Sequence, residues 1–112
     1  QRDIETFLHG QIECWNSGNR KGFFEHYRQV APEGLSIEYV GRAVMDDWPV
    51  LEGMWDQQNS RFSVEVEVSI VGPNEAACHH RNVMRDGSGL IETIELYKFA
   101  DGKTSVRYFI KQ

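Results

Sequence analysis

The chain has 112 residues, enough for one domain with a single hydrophobic core. It carries 17 acidic and 12 basic side chains, and the resulting net charge of -5 disfavours nucleic acid and anionic membranes as partners. The sequence contains no run of 18 apolar residues, so we expect no membrane-spanning segment.

Apolar residues at helical spacing predict two helices at the start of the chain. The first is predicted over residues 3–15, with Asp3 at its start and with an apolar face formed by Ile4, Phe7, Leu8, Ile12 and Trp15. Gly18 is placed to end this helix, and Asn19 to cap a shorter second one that buries Phe23, Phe24 and Tyr27. A loop over 30–34 then leads to a short strand over 35–40.

A third helix is predicted over residues 41–59, where the apolar residues are Val44, Met45, Trp48, Leu51, Met54 and Trp55. Pro49 interrupts this pattern, because a proline removes a backbone hydrogen bond and clashes with the preceding turn. Either the helix is distorted at Pro49, or residues 41–47 form a separate turn and the helix begins near Trp48. We favour a single distorted helix.

From Phe62 onward the period changes to two, which indicates β-strands. A half-buried strand is predicted over 62–70, a second over 75–85, and a third over 90–99. The last strand follows Asp101-Gly102, a strong hairpin signal, and runs to Ile110. Helices grouped before an antiparallel meander predict an α+β fold, with the helices packed on one face of the sheet.

The third strand of this meander has apolar residues on both faces. One face carries Glu95 beside Tyr97 and Phe99, where a carboxylate is costly unless it is neutral, paired or in a wet pocket. The other face carries Leu90, Ile94 and Leu96. Because the helices can cover only one face, we predict that a second subunit covers the other and that the protein is a homodimer.

Three motifs, in this order, resemble those of the NTF2-like superfamily and, within it, of the SnoaL-like and ketosteroid-isomerase-like groups. Trp15–Asn19 resembles the break between the first two helices, Gly41–Val44 the start of the third, and Tyr97–Lys103 the turn of the last hairpin. The resemblance implies one domain over residues 1–112, with three helices packed in the concave face of a curved antiparallel sheet. Such a cone has a pocket at its open end, whereas the activity varies within the superfamily.

Two acids and a histidine are candidate catalytic residues. The resemblance implies that Glu95 is the inward acid that ketosteroid isomerases keep protonated as an oxyanion donor; the alternative is a carboxylate paired with Arg107 or another base. It also places Glu38 near their catalytic aspartate, a general base, although Glu38 can equally be a solvent-facing residue. His80 is either an acid or base in the pocket or a hydrogen-bonded sheet histidine.

One position departs from the isomerase pattern. The first helix of those enzymes supplies a tyrosine to the oxyanion hole, whereas Gln11 stands near that position here, with Trp15 as the nearest aromatic residue. This difference disfavours steroid isomerisation. The candidate substrate-binding residues are Gln11, Trp15, Tyr39, Trp48, Trp55, Asn82 and Tyr97.

Two functions therefore stay open. The first is an isomerase or cyclase that transfers protons on a small hydrophobic substrate, and the second is a non-catalytic module for ligand binding or dimeric interaction. They differ in whether Glu38, His80 and Glu95 converge on one cavity. We expect no metal and no other cofactor, and we expect Cys14 and Cys78 to be reduced thiols of a cytoplasmic protein.

Overall fold

The structure, a computed structural model, describes residues 2–42, 44–46 and 48–112. Within these ranges the chain forms three helices and six strands. Their order is α1 Arg2–Ser17, α2 Arg20–Val30, β1 Gly34–Tyr39, β2 Val44–Asp46, α3 Trp48–Gln58, β3 Phe62–Val71, β4 Glu75–Met84, β5 Leu90–Ala100 and β6 Lys103–Ile110. The predicted α+β class is confirmed.

The described strands form one curved, mixed sheet in the order β2-β1-β6-β5-β4-β3. Neighbouring strands are antiparallel except β1 and β6, which are parallel. The core lies between the helices and the inner face of the sheet, where Phe7 of α1 and Phe23 of α2 are buried together with Ile37, Tyr97 and Val106. β3 is left as an edge strand, beside α1.

Two predicted turns have the expected chemistry. Gly18 has a φ of 76°, which lets the chain reverse after α1, and the Asn19 side chain then caps α2 by accepting a hydrogen bond from Gly22 N at 3.0 Å. Asp101 and Gly102 have φ values of 55° and 75°, as a two-residue hairpin turn between β5 and β6 requires.

The prediction of one helix from residue 41 is wrong. Its alternative is right about the helix start near Trp48, but residues 44–46 form a strand where it expected a turn. α3 begins at Trp48, so Pro49 lies in the first helical turn, where its missing N–H is not needed. Gly41 and Arg42 form a turn, and residues 44–46 pair with β1 as strand β2. Ala43 and Asp47, which the predicted helix included, lie outside the described residues.

β3 does not keep one buried face as its alternation predicts. Val66 is opposite His80 but Val68 is opposite His79, so the pairing with β4 shifts by one residue between them. Beyond this bulge Val68 and Ile70 turn to the outer face of the sheet, where they are 51% and 67% exposed. Beyond the bulge Val71 still packs against the core, but the contribution of β3 to the cavity comes from its first part.

That first part is attached to α1 by side chains at the end of the helix. Asn16 Nδ2 donates to the carbonyl oxygen of Val64 and Asn16 Oδ1 accepts from the Val64 N–H, both at 2.8 Å. Trp15 Nε1 donates to the carbonyl oxygen of Phe62 at 3.0 Å. The Asn16 amide thus pairs with the edge of β3 as a neighbouring strand would.

We predict that Asn16→Ala lowers the free energy of unfolding by about 1–2 kcal/mol, because two hydrogen bonds to backbone are lost. Urea unfolding followed by tryptophan fluorescence measures this change. Ser17→Ala is the control, since Ser17 is also exposed at the end of α1 and its hydroxyl bonds only locally, to Cys14 O at 3.4 Å. An equal loss of unfolding free energy in the two variants would contradict a stabilising role of the Asn16 hydrogen bonds to β3.

Candidate functional site

A cavity of about 310 Å³ lies between the helices and the inner face of the sheet. This volume is at the lower end of the range for small-molecule sites. Much of its wall is apolar and includes Ile12, Phe23, Met54, Phe62 and Val64. Such a lining suits a small hydrophobic body, held at a few polar points.

His80 and Glu95 form a buried pair on this wall. β4 and β5 are paired so that His80 is directly opposite Thr93, which makes Glu95 its diagonal neighbour on the inner face. His80 Nδ1 and Glu95 Oε2 are 2.9 Å apart, and the two side chains are only 3% and 7% exposed. Since an ionised carboxylate only accepts hydrogen bonds, the proton of this contact is on His80 Nδ1.

Two opposing effects act on the pKa of His80. Burial by itself lowers it, but hydrogen bonds with Cys78 and Glu95 and the negative charge of Glu95 raise the pKa of His80 to about 10. At neutral pH the ring is therefore an imidazolium. The cation beside Glu95 is His80 and not Arg107, whose Nε donates instead to Glu38 Oε1 at 3.1 Å.

Glu95 accepts two further hydrogen bonds. Tyr97 OH donates to Oε1 at 2.6 Å, and Thr93 Oγ1 donates to Oε2 at 3.1 Å. Asn82 Nδ2 in turn donates to Thr93 Oγ1 at 3.0 Å, which directs the Thr93 hydroxyl proton towards Glu95. Three donors around one carboxylate match an ionised Glu95 and not the neutral donor that the isomerase resemblance implies.

Gln11 extends this network into the helices. Its Nε2 donates to Tyr97 OH at 3.2 Å, and its Oε1 accepts from Tyr27 OH at 3.5 Å. Gln11 is 3% exposed, so its amide needs these partners. Hydrogen bonds therefore connect α2, α1 and β5 to the pair of Glu95 and His80.

Three tyrosines, Tyr27, Tyr39 and Tyr108, also line the cavity. Burial is the largest cause that raises the pKa of each phenol, and the negative charge of Glu95 adds to it. These side chains stay neutral at physiological pH. Tyr27 donates its single proton to Gln11 Oε1 and Tyr108 donates to Met54 Sδ, so a ligand oxygen would compete with these acceptors for those two protons.

Six of the residues singled out from the sequence line the cavity: Gln11, Trp15, Tyr39, His80, Asn82 and Glu95. Glu38 does not. It lies between the inward residues Ile37 and Tyr39, so its side chain is on the outer face, where it pairs with Arg107. Of the three candidate catalytic residues, only His80 and Glu95 come together.

The other three candidate binding residues belong to the core and not to the cavity lining. Trp55 packs against Trp15 and Phe23, with ring centroids 5.1 and 5.0 Å apart. Trp48 is half-buried, and the guanidinium carbon of Arg28 lies 5.9 Å from the centroid of its ring. Tyr97 is 1% exposed and contacts Glu95 from behind the wall.

The sequence interpretation missed five polar residues of the lining: Tyr27, Gln58, Arg61, Thr93 and Tyr108. Thr93 shares the parity of Glu95 on β5, and Tyr108 is directly opposite Glu95 on β6, so strand alternation with the correct register identifies both. For Tyr27 the helical spacing predicts only a buried position on the second helix. Arg61 lies in the turn before β3, where no periodic pattern indicates its direction.

In the described part of the chain, no three His, Cys, Asp or Glu side chains are grouped to hold a metal ion. Cys14 and Cys78 are free thiols. No helix within the described ranges combines the length and apolar character that crossing a membrane requires.

No protein-family model and no curated protein matches this chain. Solved structures do. A candidate ketosteroid isomerase from Kribbella flavida has a TM-score of 0.80 at 10% identity, over 100% of this chain and 80% of that one. A candidate SnoaL-like polyketide cyclase from Jannaschia sp. has a TM-score of 0.72 at 18% identity, over 97% and 85%.

An NTF2-like protein of unknown function from Cytophaga hutchinsonii has a TM-score of 0.70 at 14% identity, over 96% of this chain and 88% of that one. Similarity at such low identities extends to the fold and not to the chemistry. The helix order, the curved sheet and these structurally similar proteins agree with the resemblance of the sequence motifs. The chain has the NTF2-like fold in the form found in SnoaL-like and ketosteroid-isomerase-like proteins.

Proposed function

We propose that the protein catalyses proton transfer on a small hydrophobic carbonyl compound, in a reaction of the isomerase or cyclase type. The observation that carries this proposal is the buried contact of 2.9 Å between His80 Nδ1 and Glu95 Oε2 on the cavity wall. Reactions of both types pass through an enol or enolate, in which negative charge develops on the substrate oxygen. A cationic ring and neutral phenols are donors suited to that oxygen.

In this proposal His80 is the general acid. Its pKa of about 10 keeps the ring protonated at neutral pH. Since Nδ1 is engaged by Glu95, the imidazolium can offer a substrate only its Nε2 proton. Glu95 is the only carboxylate among the described residues of the lining, so it is the acceptor for the carbon-bound proton.

Ligand binding without catalysis is the second candidate, and one observation favours it. Both oxygens of Glu95 already accept hydrogen bonds, and Glu38 lies outside the cavity. These bonds occupy three of the roughly four lone-pair directions of the carboxylate, which leaves little room for a proton from a substrate carbon. The cavity would then bind a small hydrophobic molecule whose oxygen accepts a hydrogen bond from His80.

We expect the wild-type protein to accelerate deuterium exchange at the α-carbons of β-tetralone in deuterated water, measured by proton NMR. His80→Gln and Glu95→Gln should each lower the rate by roughly a hundredfold, the usual contribution of a general acid or base. His79→Gln and Glu38→Gln are matched controls, since both residues lie on the outer face and pair there with Glu92 and Arg107. A wild-type rate equal to that of buffer would favour the non-catalytic candidate.

We also predict that the free energy of unfolding falls as the pH rises from about 7 towards 10. The pKa of His80 is about 10 in the folded protein and roughly 6.5 in an unfolded chain, so its protonation stabilises the fold fully below the lower value. The loss is up to about 1.4 kcal/mol per pH unit between the two values. Urea unfolding at several pH values measures it. His80→Gln should remove this dependence, and a flat wild-type profile would contradict the ion pair.

We propose, in addition, that the protein is a homodimer formed through the outer face of the sheet. This proposal rests on an outer stripe of exposed apolar side chains: Val68, Ile70, Leu90 and Ile94. Ion pairs Glu38–Arg107 and Glu92–Lys111 lie on the same face. Apolar stripes flanked by both signs of charge suit an identical copy, related by a two-fold axis.

We expect Ile94→Glu to convert this dimer to a monomer, because two carboxylates would be buried at the centre of the interface. Sedimentation velocity at micromolar concentration measures the mass. Val66→Glu is the control: Val66 is similarly exposed, at 45%, but lies on the side of the sheet that faces α1. A monomeric wild-type protein would rule the dimer out.

A further inference from the structure

Arg61 is placed at the open end of the cavity. It lies in the turn between α3 and β3, and it lines the cavity together with Ile91 and Ile110, which are 41% and 44% exposed. The pair of His80 and Glu95 is at the opposite, buried side of the lining. The cavity therefore has an ionic group at its floor and a cation at its mouth.

Contacts with neutral groups hold the Arg61 side chain in place. Its guanidinium carbon lies 5.3 Å from the centroid of the Phe62 ring, and Nη1 donates to Gln58 Oε1 at 3.3 Å. A guanidinium has five N–H donors, so one contact with Gln58 leaves most of them for another partner. The ring fixes the plane of the group without neutralising its charge.

Arg61 has no carboxylate in a salt bridge among the residues that the structure describes, a feature that it shares with Arg85 but not with Arg20 or Arg81. Arg20 pairs with Asp56 and Arg81 with Glu65, whereas Arg85 donates to the carbonyl oxygen of Asn59. The charge of Arg61 does affect one acid, since it helps to lower the pKa of Asp86. Hydrogen bonds with Ser88 are the main causes that lower the pKa of Asp86, and the charge of Arg61 is the smallest.

The charges that face the cavity do not cancel. His80 and Glu95 neutralise each other at 2.9 Å, and the tyrosines of the lining are neutral. Arg61 is the remaining ionic group of the described lining and gives the cavity an excess of positive charge. A ligand that matches this distribution has an apolar body and an anionic group at the mouth.

We propose that Arg61 binds the carboxylate of the ligand, so that the ligand class is a small apolar carboxylic acid. Planar guanidinium and carboxylate groups can form two parallel hydrogen bonds, which orient the ligand as well as attract it. With its carboxylate at Arg61, the apolar body lies along the wall and the far end reaches His80. That far end is a carbonyl only if the proposed function is correct, whereas the carboxylate contact holds for a binding protein too.

Two ligands of the same shape test this proposal: β-naphthoate, an anion, and β-naphthamide, its neutral counterpart. Titration calorimetry at low salt should give the wild-type protein a preference of up to about fivefold for the anion, the upper value for a solvent-accessible ion pair. Arg61→Gln should remove the preference and leave the affinity for the amide unchanged. Added salt should reduce the preference of the wild-type protein.

Arg20→Gln is the matched control. Arg20 also stacks on an aromatic ring, with its guanidinium carbon 4.8 Å from the centroid of Phe24, but it pairs with Asp56 and does not line the cavity. This variant should keep the wild-type preference. Equal wild-type affinities for the two ligands, no binding of either, or a preference that survives Arg61→Gln would each overturn the inference.

The same measurements separate this inference from the proposed function. His80→Gln should retain the preference for β-naphthoate, because the carboxylate contact is at the mouth. Anion preference without deuterium exchange would reject the catalytic proposal and support the role of Arg61. Deuterium exchange without anion preference would support the catalytic proposal and reject the role of Arg61.

Discussion

Burial of the Glu95 carboxylate is the constraint around which the interior is arranged. A buried charge is strongly destabilising unless it is paired and hydrogen-bonded. Glu95 obtains a cation from β4, in His80, and hydroxyl donors from its own strand, in Thr93 and Tyr97. Because Gln11 of α1 holds Tyr97, the position of the first helix depends on the same carboxylate. A change in the pairing of β4 with β5 would separate His80 from Glu95 and leave both charges buried without a partner.

The same arrangement limits the chemistry that is open to the site. The hydrogen bonds that stabilise Glu95 occupy most of its lone pairs, while its charge helps to raise the pKa of His80. A strong donor beside an acceptor that is already hydrogen-bonded can stabilise negative charge on a bound oxygen whether or not a proton is taken from carbon. For this reason binding and catalysis are separate questions in this cavity, although they involve the same residues. An anion held at Arg61 is compatible with either answer.

Strand parity made much of this predictable. The inward position of Glu95 follows from its alternation with Tyr97 and Phe99, and the last turn follows from the local preferences of Asp101 and Gly102. The partner of Glu95 was not predictable in the same way, because the contact with His80 depends on the register across the turn between β4 and β5. Glu38 was assigned a role by resemblance, although alternation with Ile37 and Tyr39 already directs it outward. The start of α3 was missed because a three-residue strand such as β2 is too short to show a period.

The bulge in β3 shows how one strand can serve two surfaces. Before the bulge Phe62 and Val64 face the cavity, and after it Val68 and Ile70 face outward. The apolar residues therefore keep alternating along β3, but they lie on opposite faces of the sheet before and after the bulge. No pattern of hydrophobicity distinguishes the two halves; only the pairing with His79 and His80 does. Since these adjacent histidines point to opposite faces, the shift places the outer stripe next to His79 and the cavity wall next to His80. Any partner that covers the outer stripe therefore packs against the strand that carries the proposed general acid.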